Sequence, residues 1–147
     1  MSTKKSISIL ILVGTMIIVA SLLGFTLGTG LGTATAQQTA PTESKGVTIT
    51  LLAAVDLGPE IPGMQVRQLR LRVLTVEPGG VVGVHSHKDR PGAAYVLKGT
   101  VTEHRGDVAK DYSAGSGLAE DGNVTHWAEN KGITPAVLIL TDIIKQQ

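Results

Sequence analysis

Two histidines separated by one residue, His85-Ser86-His87, lie in an apolar stretch rich in β-branched residues, and a third, His126, stands further along the chain. Side chains two apart on a strand point the same way, so the imidazoles of His85 and His87 can share one metal ion. A single histidine is more often a satisfied core or surface residue than a ligand. Three of the chain's four histidines at these positions reverse that balance and point to a metal centre on His85, His87 and His126. Three neutral imidazoles from two strands would occupy one face of the ion and leave other positions open, as a catalytic site requires. The sequence contains no cysteine, which rules out thiolate ligands and disulfides alike. The ion must then be held by nitrogen and oxygen donors. Iron, manganese, zinc and copper all fit, and affinity order alone favours copper and zinc over iron.

The elements that position these residues begin after an N-terminal segment of a different kind. Lys4 and Lys5 precede an apolar run from Ile7 to about Leu31, followed by Ala34-Thr35-Ala36, which is the layout of an export signal with a small-residue cleavage site. The run approaches the ~20 residues that span a bilayer. Residues 1–36 therefore read as a signal peptide cleaved after Ala36 or as a membrane anchor through residues 7–31. A buried core helix fits poorly, because Gly24, Gly28, Gly30 and Gly32 would weaken it. The expected location is periplasmic or secreted, with a membrane contact only through this segment if it stays uncleaved. Residues 37–46, polar and containing Pro41, read as a flexible linker, and residues 47–147 as the folded domain. The 111 residues from Gln37 to Gln147 suit one core and are too few for two ordinary domains. Without Lys4 and Lys5, 11 basic residues face 12 acidic ones, a balance that gives no reason to expect nucleic acid as a partner.

From Val47 onward, short apolar runs recur between Gly and Pro punctuation: Val47 to Val55, Val66 to Val76, Val81 to His87, Ala93 to Lys98 and Ala136 to Ile144. That rhythm predicts an all-β domain. The segment Leu69-Arg70-Leu71-Arg72-Val73 alternates apolar with basic residues, which predicts a strand with its apolar face in the core and its arginines in water. Many short strands in one small domain favour a closed barrel or a two-sheet sandwich, since either buries apolar faces that a single sheet would expose.

Two stretches resemble a known family. Pro78-Gly79, five residues, His85-x-His87, four residues, Gly92, six residues and Gly99 is similar to the first motif of the cupins, with Gly92 where a glutamate normally stands. Gly115, five residues, Asp121-x-Asn123-x-x-His126-x-x-x-Asn130 resembles the second motif, with Asp121 and Asn123 in place of its usual proline and glycine. The resemblance runs from about Gln65 to Ile143. It implies a single jelly-roll (double-stranded β-helix) barrel of the RmlC-like kind, holding one transition-metal ion inside. The first-motif histidines and glutamate and the second-motif histidine would be its ligands. Carried over by position, these are His85, His87 and His126, with the carboxylate missing. The resemblance also implies a homodimer formed through an edge strand or sheet face.

The missing carboxylate has a candidate replacement. If Lys98 and Gly99 form a tight two-residue turn, Val96 pairs with Val101, Ala94 with Glu103 and Gly92 with Arg105. Cross-strand partners share a face, so Glu103 would lie inside with Ala94 and Val96 and could offer its carboxylate to the metal, a substrate or a water. The competing reading is a solvated carboxylate at a strand end. The same parity puts Tyr95 and His104 outside. Trp127, next to His126, would point away from the interior, either toward a subunit interface or under a loop. Asp89 and Arg90 would lie in a loop at the barrel mouth, where they hold an anionic substrate or form a loop ion pair of little consequence. Val82 and Val84, with Ala94 and Val96, would line an interior small enough for a compact organic ligand. Asn123 and Asn130 are candidates to orient the histidines from behind.

Two kinds of function follow. One is a metal-dependent enzyme acting on a small organic molecule. Resemblance to three-histidine cupin dioxygenases makes oxygen insertion the first expectation, with isomerase or lyase chemistry next. The other is a non-catalytic module that binds a metal or small ligand outside the cytoplasm, a setting in which ferrous iron oxidises readily.

Overall fold

The computed structural model describes residues 39–146, and the export signal read from residues 1–36 lies outside them. Apolar alternation broken by Gly and Pro yields eight strands: β1 (Lys45–Asp56), β2 (Arg67–Ser86), β3 (Gly92–Lys98), β4 (Thr100–Arg105), β5 (Val108–Ser113), β6 (Gly117–Glu120), β7 (Thr125–Glu129) and β8 (Ala136–Lys145). They hydrogen-bond in the order β5-β4-β7-β2-β8-β3-β6, with β1 added to β2, and every pair is antiparallel. This is a nearly closed jelly-roll barrel. Among the described residues no helix is long and apolar enough to cross a membrane.

Strand β2 organises the barrel because it serves both halves. Arg67 to Val76 lies between β1 and β8, whereas Val81 to Ser86 pairs with β7. The inward-facing residues form one core of Leu74, Val76, Ala94, Val96, Val101, Leu118, Ala136, Leu138 and Leu140. Val76 and Val96 are wholly buried, and each contributes roughly 1.5–3 kcal/mol by leaving water. Strand β1 has only β2 as a partner and leaves Ile49, Leu51, Leu52 and Val55 exposed.

Three expectations require correction. The Lys98-Gly99 hairpin does not form: β3 pairs with β6 and β8, and β4 with β5 and β7. Gly99 instead turns the chain from one pair of neighbours to the other at φ 76°, where an added Cβ would lie 2.9 Å from both the Ala136 Cα and the Pro135 carbonyl oxygen. Only glycine fits that corner. Gly92 accordingly stands beside Glu120 and Asp142, not Arg105.

The alternation at Leu69–Val73 is real, but its faces are reversed. Arg70 and Arg72 share the inward face with Leu74 and Val76 and bind the buried Asp142, while Leu69 is 38% exposed. Period two fixes which residues share a face and leaves open which face is inside. Finally, the chain just before β1 runs along β2, where Pro41 accepts a hydrogen bond from the Val84 amide and Ser44 Oγ accepts one from the Gly83 amide. Strand β1 itself starts at Lys45, inside the stretch expected to be linker.

Candidate metal centre

His85 on β2 and His126 on β7 are direct cross-strand partners, and His87 follows one residue beyond the end of β2. The His87 amide donates to the Val124 carbonyl, which keeps the chain in line beyond the strand end. The three rings converge: His87 Nε2 lies 3.2 Å from His85 Nε2 and 3.0 Å from His126 Nε2, and the last two are 3.1 Å apart. Each ring also has an acceptor behind it. His85 Nδ1 donates to the Gly83 carbonyl at 2.9 Å, His87 Nδ1 to the Arg90 carbonyl at 3.3 Å, and His126 Nδ1 to Glu103 Oε1 at 2.5 Å. These partners assign the proton to Nδ1 in all three rings, so three Nε2 lone pairs face one point. Unshared lone pairs at that separation repel, and a cation between them removes the repulsion. The cluster could bind a metal ion.

Burial favours the neutral form of His85 and His87. Burial pushes the His87 pKa down to about 4, helped by His126, Arg90 and His85 beside it. Burial also lowers His85, against the pull of its Gly83 hydrogen bond. Neutral imidazole is the form a metal requires.

Glu103 is buried, as the parity argument expects, although the hairpin on which that argument stood is absent. Its parity survives because Val101 and Glu103 turn inward across from β5 and β7. Burial alone would raise its pKa, but hydrogen bonds from His126 and Arg105 hold it at about 2. One carboxylate oxygen accepts from both His126 Nδ1 and Arg105 Nη2, so Glu103 acts on His126 from behind. Asn130 and Asn123, expected in such a role, are elsewhere. Asn130 bridges the Val76 and Thr134 carbonyls through its side-chain amide, and the Asn123 backbone N–H donates to Asp121 Oδ1.

The carboxylate that faces the centre is Glu120, which sequence reasoning passed over. Glu120 Oε2 lies 3.6 Å from His87 Nδ1, and Oε1 lies 3.9 Å from His126 Nε2. It stands directly across from Gly92, and a Cβ on Gly92 would lie 3.3 Å from Glu120 Oε2. The space a motif glutamate would enter at position 92 is thus filled from the neighbouring strand. Burial raises the Glu120 pKa, against the lowering pull of His126 and Arg90. The sequence signal was the bare Gly92 itself, but only the β3–β6 register identifies its neighbour.

A cavity of about 300 Å³ opens onto the histidines and is shared by Arg72, Arg90, Glu103 and Glu120. Val82 and Val84 line it, whereas Ala94 and Val96 belong to the core beneath. Arg90 forms no ion pair with Asp89; its guanidinium approaches Asp142 at 3.5 Å. His104 and Trp127 share the outer face, where their rings stack 3.7 Å apart and His104 Nε2 meets Glu129 at 2.8 Å. Trp127 is buried by that packing and Tyr95 is exposed.

Residues 72–142 match the family model of the cupin domain, Cupin_2. The barrel is a cupin fold. Among solved structures, the chain is similar to a predicted oxalate decarboxylase from Thermotoga maritima, at TM-score 0.56 and 19% identity over 74% of this chain and 96% of that one. An RmlC-like cupin from Shewanella frigidimarina aligns at TM-score 0.52 and 21% identity over 72% and 86% of the two chains. The polyketide cyclase RemF from Streptomyces resistomycificus aligns at TM-score 0.56 and 16% identity over 74% and 71%. Identities this low speak for the fold alone. No curated protein matches the chain. Within this barrel, the three histidines converge on one point and Glu120 stands across from Gly92.

Proposed function

We propose that this cupin barrel holds one transition-metal ion on His85, His87 and His126 and brings a small organic molecule from the adjoining cavity into the ion's open positions. The observation that carries the reading is the set of three Nδ1 acceptors, which leaves three Nε2 lone pairs converging with no proton to share. Such oriented imidazoles are the usual arrangement behind protein metal ligands. Bound there, the metal supplies Lewis-acid chemistry and, if it is iron, oxygen chemistry. We take residues 1–36 as an export signal or anchor, and with it an activity outside the cytoplasm.

Two enzymatic readings divide on Glu120. A three-histidine donor set suits oxygen insertion by iron. The placement of Glu120 favours isomerase or lyase chemistry, because two carboxylates in one cavity are pushed apart in pKa, Glu103 down and Glu120 up. That separation marks Glu120 as the better suited of the two carboxylates to take or give a proton, while Glu103 stays ionised. The test begins with elemental analysis of the chain purified without a histidine tag, alongside His85→Ala, His87→Ala and His126→Ala. About one metal ion per chain, lost in each variant while the β-sheet circular dichroism persists, is the expected result. Metal retained in all three variants overturns the assignment. Turnover that consumes oxygen supports the oxygenase reading, and turnover that persists without oxygen supports the proton-transfer one. A loaded chain that binds small acids without turning them over is a binding module.

A further inference from the structure

The row of residues that crosses the sheet beside the histidines is charged. Arg70 on β2, Asp142 on β8, Gly92 on β3 and Glu120 on β6 are successive cross-strand partners. Asp142 is 2% exposed and is engaged by Arg70 through both oxygens, Nε to Oδ1 at 3.0 Å and Nη2 to Oδ2 at 2.8 Å. Two more guanidiniums converge on the same Oδ2: Arg72 Nη2 at 2.7 Å and Arg90 Nη1 at 3.5 Å. One carboxylate therefore serves three cations, and Arg70 already takes its bidentate geometry.

Arg72 and Arg90 are left with unused capacity. Among the described residues Arg72 bonds only through Nη2, and its Nε is buried without a partner. Arg90 is held by one long ion pair. Both line the cavity that contains the histidines, and the guanidinium of Arg90 is close enough to disfavour protonation of His85 and His87. Glu120 forms no ion pair with either arginine among the described residues, so both guanidiniums keep donors that no protein carboxylate other than Asp142 engages. A guanidinium fork is the side chain best matched to a carboxylate.

We propose that Arg72 and Arg90 form a carboxylate-binding site in this cavity, which takes a small organic acid and presents the rest of it to the three histidines. The proposal deepens the metal reading and rests on it only for what the far end of the ligand meets. Val82, Val84, Leu118 and Leu140 give the remaining wall an apolar character, which suits a short carbon skeleton and excludes a polyanion.

The test is titration calorimetry of acetate and malonate, with acetamide and malonamide as uncharged counterparts, into the full chain both EDTA-stripped and Mn²⁺-loaded. Wild type should bind at least one of the acids in both states and neither amide comparably. Arg90→Met, whose partner contacts are few, should take up Mn²⁺ as wild type does and lose roughly tenfold or more in acid affinity, the worth of a charge-assisted hydrogen bond. Arg72→Gln should do the same if its circular dichroism shows a folded barrel; if it does not, Arg90→Met decides alone. Equal acid affinity in Arg90→Met, amides that match the acids, or no acid binding to stripped wild type each overturns the site. Wild type that binds acid but takes up neither Mn²⁺ nor, in a parallel loading, Zn²⁺ refutes the metal reading and leaves the carboxylate site standing.

Discussion

Gly92 and Glu120 are direct partners across β3 and β6, and the side chain of one occupies the space left by the other. A Cβ at position 92 would also lie 2.6 Å from the Thr141 carbonyl oxygen and 3.2 Å from Asp142 Cβ. Gly92→Glu should therefore not restore a motif carboxylate; it should destabilise the barrel by about 1–3 kcal/mol, as overpacking does. Thermal melting of Gly92→Ala and Gly92→Glu checks this, and a melting point equal to wild type in both would show that the sheet yields at this row.

Removing the acceptor behind His126 should weaken the metal and leave the fold. Glu103→Ala leaves His126 Nδ1 and Arg105 without their shared partner, and metal affinity should drop by roughly 10–100-fold. Glu103→Gln keeps a neutral acceptor and should lose less. Chelator competition on both variants measures the difference, and unchanged affinity in both would make Glu103 a structural residue only.

Asp142→Asn should be among the most damaging single changes in the domain. It removes the one carboxylate that Arg70, Arg72 and Arg90 share in a buried setting. Breaking a buried pair in this way costs about 3–5 kcal/mol. Urea denaturation should show the loss, and Arg70→Met in the same background should recover part of it by removing a stranded charge.

The metal-free chain should lose stability in acid in two stages. His87 has a folded pKa of about 4, below its unfolded value near 6.5, so its contribution is complete above pH 6.5 and disappears as pH falls toward 4. Glu103, held at about 2 against an ordinary value of 4.5, contributes fully above pH 4.5 and fades toward pH 2. Glu120 has the opposite sign: its raised pKa stabilises fully below its ordinary value, and that contribution is lost as pH rises through the raised pKa. Urea melts from pH 8 to pH 3 should show the early loss between pH 6.5 and 4, and His87→Gln should flatten that limb; a limb of equal slope in the variant would assign it to another group.

Much of the fold was legible in the chain. The runs at Val47–Val55, Ala93–Lys98 and Ala136–Ile144 became β1, β3 and β8 because period-two alternation and Gly or Pro boundaries act over a few residues. The histidine set was legible for the same reason, since His85 and His87 are two apart and the motif spacing supplied His126. The alternation at Leu69–Val73 also gave the correct parity, yet the arginines turned inward because Asp142, 70 residues away from Arg72, offers a buried partner that no local pattern reveals.

What tertiary structure decided was which distant residues became neighbours. Glu120 faces the histidines because β6 pairs with β3, and Glu103 supports His126 because β4 pairs with β7 where a local hairpin had been expected. Local sequence determines side-chain parity and the residue types available, because these depend on backbone geometry a few residues long. Strand order and register decide which carboxylate meets which ring, because they are set by burying the whole apolar surface at once.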